Sequence, residues 1–171
     1  MKVLVCLDGE PHTCGAIEHA ISLGLSEQAE VFGLHVVDPW LRQFYSEIYA
    51  QGRKEYLEWV DQCLETAAVE TGAAFDDACS AQGLDADFSI RHGEPLAEIL
   101  KEIADLSPDL VVTGEKPLSA WGRLRSGNLS MRLRKKLGAE IPVISIGSAG
   151  AQTDLPGPTL LAETGLQRQS H

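Results

Sequence analysis

The feature that most constrains this chain is a set of short apolar runs, spaced by stretches of helical periodicity. Val3-Leu4-Val5-Cys6-Leu7 is apolar without interruption and ends at Asp8-Gly9. Val31-Phe32-Gly33-Leu34-His35-Val36-Val37 reads as a second buried strand, and Asp38-Pro39 stops it because proline cannot continue a ladder. Leu110-Val111-Val112 runs into Thr113-Gly114, and Pro142-Val143-Ile144-Ser145-Ile146 closes the series. Strands without polar alternation are buried on both faces, as in a parallel sheet covered by helices. Residues 85–91 behave differently. Ala86, Phe88 and Ile90 alternate with Asp85, Asp87, Ser89 and Arg91, which suits a half-exposed edge strand.

The stretches between the strands repeat at helical spacing. Ile17, Ala20, Ile21, Gly24 and Leu25 predict a helix over residues 11–25, with Pro11 in its first turn. A longer helix is expected over residues 41–71, with Gly52 a candidate interruption. Tyr56, Trp59, Val60, Cys63, Leu64 and Ala67 fall on one face of it. Gly72 is the expected stop, and continuation toward Cys79 is the alternative. Glu94-Pro95 opens a helix with Leu96, Ile99, Leu100 and Ile103 facing the core, and Ser107-Pro108 ends it. Leu129, Leu133 and Leu137 mark a last helix that ends at Gly138.

The resulting order, β-α-β-α-β-α-β-α-β, makes an α/β fold. Right-handed crossovers give a five-stranded doubly wound parallel sheet with helices on both faces. Placing the alternating third strand at an edge favours the order 3-2-1-4-5. Ligands of such sheets bind beyond the strand C-termini at the switch point, here between strands one and four. A length of 171 residues suits one domain, expected over residues 1–147. Residues 148–171 are rich in Gly, Pro, Ser, Thr and Gln, with only Leu160, Leu161 and Leu166 as anchors. They read as a flexible C-terminal tail, a single short helix being the alternative.

Charge narrows the function. Lys and Arg number 14 against 25 Asp and Glu, a net charge of −11, which argues against a nucleic-acid binder or a polybasic membrane-surface protein. No apolar run approaches the roughly 20 residues of a transmembrane helix. The N-terminus lacks the pattern of a signal peptide, so a cytoplasmic location is expected. The four cysteines include no C-x-x-C pair and read as reduced structural thiols. Seven basic residues and no acid lie between Lys116 and Lys136. Lys116, Arg123 and Arg125 fall in a loop and point to an anion such as a phosphate. Arg132 to Lys136 read as a solvated helix face suited to a helix C-terminus.

Several motifs fail. No G-x-G-x-x-G follows the first strand. Gly122 to Gly127 has the glycine spacing of a P-loop, but Asn128 and Leu129 replace the lysine and hydroxyl that grip phosphate and magnesium. A phosphorylated receiver domain needs an Asp after strand three and a Lys after strand five; the chain has Arg91-His92 and Gly147-Ser148. No G-x-S-x-G elbow or H-E-x-x-H occurs. His12 and His92 each lie just beyond a predicted strand, where they could rim the site, and read first as ordinary loop or cap histidines. Asp8, ending a central strand, suits a ribose hydroxyl or Mg2+ as well as a helix N-terminal acid. Trp121 either covers a ligand or packs the basic loop on the sheet rim.

Taken together and in order, the residues resemble the universal stress protein family. The resemblance rests on Val3 to Gly9, the His92-Gly93-Glu94-Pro95 turn, Asp109-Leu-Val-Val-Thr-Gly114, Trp121-Gly122-Arg123-Leu124, Gly127-Asn128-Leu-Ser130 and Ile141-Pro-Val-Ile-Ser-Ile146. It covers about residues 1–147. It implies the fold argued above and, in many members, ATP or another adenine nucleotide at the switch point. By the family pattern Asp8 meets the ribose, Val37 the adenine through its backbone, and Gly114, Gly127, Asn128 and Leu129 the phosphates. Lys116 and Arg123 add charge. The family's glycine pattern is broken twice: Pro117 replaces its middle glycine and Asn128 its Ser or Thr. Proline removes an N–H and fixes φ, so the triphosphate cradle changes shape, whereas Asn still donates a hydrogen bond. The resemblance also implies an antiparallel homodimer through Val143, Ile144, Ser145 and Ile146, an apolar strand at the other sheet edge.

Two readings of function follow. One is a nucleotide-binding stress or regulatory protein that signals by conformation or assembly. The other is a dimeric protein-interaction module of the same fold that binds no nucleotide. An enzyme is the weaker third, since no nucleophile is paired with a base and Glu115 is the nearest second carboxylate to Asp8.

Overall fold

The computed structural model describes residues 1–10, 13–40, 43, 54–115 and 129–147. Five parallel strands form one sheet: β1 (Lys2–Leu7), β2 (Glu30–Val37), β3 (Ala86–His92), β4 (Leu110–Glu115) and β5 (Val143–Gly147). Four helices connect them: α1 (Cys14–Ser26), α2 (Lys54–Ala81), α3 (Pro95–Leu106) and α4 (Leu129–Leu137). The strand order is β3-β2-β1-β4-β5, as the alternation at residues 85–91 predicts. Asp87 on the β3 edge is exposed and Ser89 half-buried, while Val5 and Val111 in the centre are wholly buried.

The pleat of β1 divides the core. Val3, Val5 and Leu7 pack with Ala16, Ala20, Ile21, Phe75 and Cys79 under α1 and α2. Leu4 packs on the opposite face with Leu34, Leu96, Ile99, Ile103 and Leu133 under α3 and α4. Val3, Leu4 and Val5 have no exposure at all. At about 1.5–3 kcal/mol for each large aliphatic side chain fully buried, this strand contributes to the core on both of its faces.

The second helical stretch departs from expectation. Gly72 does not stop α2, which continues to Ala81 and ends at Gly83, with φ of +69°. The Leu84 N–H there reaches back to the Cys79 carbonyl at 3.0 Å. Gly72 is instead a packing glycine: a Cβ at that position would lie 2.7 Å from Phe88 Cε1. The expected buried face is also rotated. Val60, Ala68, Thr71, Phe75 and Cys79 are buried, whereas Trp59 is 56% exposed and Cys63 and Ala67 are exposed. Residues 11–12 and 41–42, Gly52 and the 148–171 tail lie outside the described residues.

The helix expected over residues 11–25 begins at Cys14, with Thr13 as its N-cap, and the boundaries of α3 and the end of α4 follow their sequence signals. Glu94 caps α3 by accepting the Ala97 N–H at 2.7 Å, and Pro95 occupies the first turn. α4 carries Arg134, Lys135 and Lys136 in its last turn, where the helix dipole favours cations. All four cysteines are free. Among the described residues no helix is long and apolar enough to cross a membrane.

Candidate functional site

β1 and β4 are adjacent and parallel, but the chain leaves them toward opposite faces, to α1 and to α4. That divergence opens the crevice beyond their C-terminal ends. Asp8 follows β1 directly. Its Oδ1 accepts the Glu10 N–H at 3.0 Å, so the carboxylate shapes the β1–α1 turn. Gly9 takes φ of +79° in this turn, and a Cβ there would meet Thr71 Oγ1 at 2.7 Å. The turn therefore sits tightly against α2, and only glycine fits it.

Gly114 lies near the end of β4, half-buried, and Leu129 begins α4, also half-buried. Val37 ends β2 and is buried. Its carbonyl accepts the Gly93 N–H at 3.1 Å, which uses one of that oxygen's two lone pairs. Lys116, Arg123, Gly127 and Asn128, together with Pro117, Trp121 and His12, lie outside the described residues. His92 bonds Glu65 across the top of α2, Nε2 to Oε1 at 2.6 Å.

Near the ends of these strands the structure holds buried polar groups that the sequence did not single out. Thr113 Oγ1 and Ser130 Oγ lie 2.8 Å apart, both side chains buried, tying β4 to the first turn of α4. His35, at 7% exposure, follows Leu34 near the end of β2, and its buried Nδ1 has no hydrogen-bond partner among the described residues. Burial lowers its pKa, against an upward pull from the carboxylates of Asp8 and Glu65. Cys6, beside Leu34 and Thr113 in register, has its thiol pushed up to about 12, mainly by burial with Glu102 adding. It is a thiol at neutral pH and not a nucleophile. Among the described residues no group of three or more His, Cys, Asp or Glu side chains could hold a metal.

The sequence model of the universal stress protein family matches residues 1–145. The chain belongs to the universal stress protein family. Universal stress protein YxiE of Bacillus subtilis (strain 168) is 26% identical over 145 residues, covering 77% of this chain and 90% of that protein. A universal stress protein family protein from Arabidopsis thaliana with AMP bound superposes with a TM-score of 0.60 at 22% identity. The match covers 85% of this chain and 90% of that one. The universal stress protein from Archaeoglobus fulgidus in complex with dAMP gives a TM-score of 0.55 at 16% identity over 85% and 97% of the two chains. The family match runs from β1 into β5 and takes in every described element of the crevice.

Proposed function

We propose that this universal stress protein family member binds an adenine nucleotide beyond β1 and β4 and acts through conformation and assembly, not catalysis. In this reading Val37 receives the adenine and Asp8 the ribose. Gly114, Gly127, Asn128 and Leu129 receive the phosphates, with Lys116 and Arg123 adding charge. The observation that carries it is the strand order. Asp8, just beyond β1, and Gly114, near the end of β4, lie on neighbouring strands where the strand order reverses, in a fold shared with one solved structure that carries AMP and another that carries dAMP. Any Mg2+ enters with the nucleotide's own phosphates, since Mg2+ prefers phosphate oxygen and water to an all-protein cage. Residues 1–147 form the working domain, residues 148–171 a tail, and the protein acts in the cytoplasm as a homodimer through Val143 to Ile146.

One observation favours a second reading, a dimeric interaction module with no nucleotide. Pro117 occupies a position where the family's nucleotide binders use glycine, and it removes a backbone donor from the loop. Mass spectrometry of small molecules released by denaturing the purified protein separates the two. Adenine nucleotide in near-stoichiometric amount supports binding. Its absence, with no heat in calorimetry against AMP or ATP, leaves the interaction module.

A further inference from the structure

Arg134 holds the open edge of the sheet. In the β4–β5 ladder the Val111 N–H donates to the Pro142 carbonyl at 3.0 Å. Parallel pairing therefore turns the backbone groups of Ile144 and Ile146 toward β4, and those of Val143, Ser145 and Gly147 away from it. Among the described residues no strand lies on that outer side. The Arg134 side chain reaches from α4 to this side. Its Nε donates to the Val143 carbonyl at 3.0 Å and its Nη2 to Ser145 Oγ at 3.1 Å. A planar guanidinium makes this two-point grip, which a lysine cannot reproduce.

We propose that Arg134 is a latch on β5: in the single chain its guanidinium lies against the outward-facing Val143 carbonyl and Ser145 Oγ, and it must swing off that edge before a second copy of this chain pairs there in full. The proposal rests on the β5 dimer of the preceding section. The occupant is a second copy because the strand is self-complementary. An antiparallel two-fold through Ser145 sets Ser145 against Ser145 of the partner subunit and Val143 against Gly147 of the partner subunit. Ile144, 36% exposed, then faces Ile146 of the partner subunit on the same side of the sheet. The Val143 carbonyl is the acceptor for the Gly147 N–H of the partner subunit in that register, and it is the atom Arg134 holds. A charged side chain laid on an edge is a common guard against uncontrolled strand pairing.

Sedimentation equilibrium of the full chain tests this with Arg134→Ala, Arg134→Lys and Ile144→Lys beside the parent. Arg134→Ala should tighten self-association about tenfold, because each protomer no longer exchanges one hydrogen bond for another on pairing. Arg134→Lys keeps the charge but loses the fork, and should tighten it by a smaller factor. The gain in Arg134→Ala is not a charge effect, since the chain already carries −11 and losing a cation adds to repulsion. Ile144→Lys should be monomeric. An Arg134→Ala dimer no tighter than the parent's, with Ile144→Lys monomeric, removes the latch and keeps the β5 dimer. Parent and Arg134→Ala both monomeric, or Ile144→Lys still dimeric, removes both. Circular dichroism melts confirm that each variant is folded; Arg134 is exposed and outside the core.

Discussion

Thr113 Oγ1 and Ser130 Oγ share a buried hydrogen bond of 2.8 Å that joins the end of β4 to the first turn of α4. Thr113 has two longer contacts in reserve, 3.4 Å to Ser145 Oγ and 3.5 Å to the Ile144 carbonyl. The partners are therefore unequal. Thr113→Val should cost about 1–3 kcal/mol by leaving the Ser130 hydroxyl buried without its partner. Ser130→Ala should cost less, because Thr113 can turn to Ser145. The double variant should cost less than the sum of the two, as expected for groups in direct contact. Urea unfolding of the three variants measures each step.

His35 makes stability depend on pH. Burial depresses its folded pKa below the ordinary value of 6.5, so the unfolded chain binds a proton more readily than the folded one. Stability from this group is complete above pH 6.5 and is lost as pH falls from there through the folded pKa. In the imidazolium both ring nitrogens carry a proton, and the buried Nδ1 has no hydrogen-bond partner among the described residues. Asp8 and Glu65 temper the effect from either side, and Glu65 is itself bonded to His92. His35→Phe should flatten the fall in urea midpoint between about pH 7 and pH 5, while His92→Gln should leave it in place. An unchanged slope in His35→Phe would assign the effect to other groups.

Gly72 and Phe88 set how close α2 comes to β3. Phe88 is confined on its other sides by Phe75, ring centroids 5.7 Å apart, and by Gly33. Gly72→Ala gains about 1 kcal/mol of helix propensity but inserts a methyl 2.7 Å from a ring that cannot retreat. Overpacking of this kind costs about 1–3 kcal/mol, so a net loss is expected. Phe88→Leu should recover part of it in the double variant. Additive losses would mean that the ring has room to move.

The sheet was legible because its signals are local. Uninterrupted apolar runs mark the central strands, and one alternating segment marks the edge. The helix over residues 41–71 was misread for the opposite reason. A glycine after an apolar helical stretch looks like a stop, but Gly72 is small because Phe88, on another element, fills the space a side chain would take. A four- and three-residue rhythm through Val60, Leu64, Ala68, Thr71, Phe75 and Cys79 runs past it and was the signal to follow. Thr113 with Ser130, and Arg134 with Val143, are invisible in the sequence because each pair meets only when α4 packs on β4 and β5. Arg134 belongs by position to the basic last turn of α4, and nothing local distinguishes it from Lys135.

Ile144 gives the simplest check on assembly. It is the one large apolar side chain of β5 that counts as exposed among the described residues, at 36%. Pairing of two β5 edges would cover it, and a lysine there would put two ammonium groups in one small interface. Sedimentation should show the parent as a dimer at micromolar concentration and Ile144→Lys as a monomer. A parent and an Arg134→Ala variant that both stay monomeric remove the dimer.

Pro117 bears most directly on the proposed ligand. In the family pattern its position supplies a glycine to the phosphate loop, and proline withdraws one N–H there and fixes φ. The loss is worth about 0.5–1.5 kcal/mol, more where a phosphate oxygen is left unpaired. Lys116 and Arg123 can offset it, since hydrogen bonds to charged groups contribute about 1.5–3 kcal/mol each. Charge then replaces backbone geometry, which favours a short phosphate chain reached by flexible side chains over a triphosphate wrapped by the loop. The expected outcome in calorimetry is that the parent binds AMP at least as tightly as ATP. Pro117→Gly should tighten ATP more than AMP, by about threefold to tenfold. Arg123→Ala should weaken both and reduce the salt dependence of binding. Equal effects of Pro117→Gly on AMP and ATP would show that the residue acts on loop folding and not on the outer phosphates.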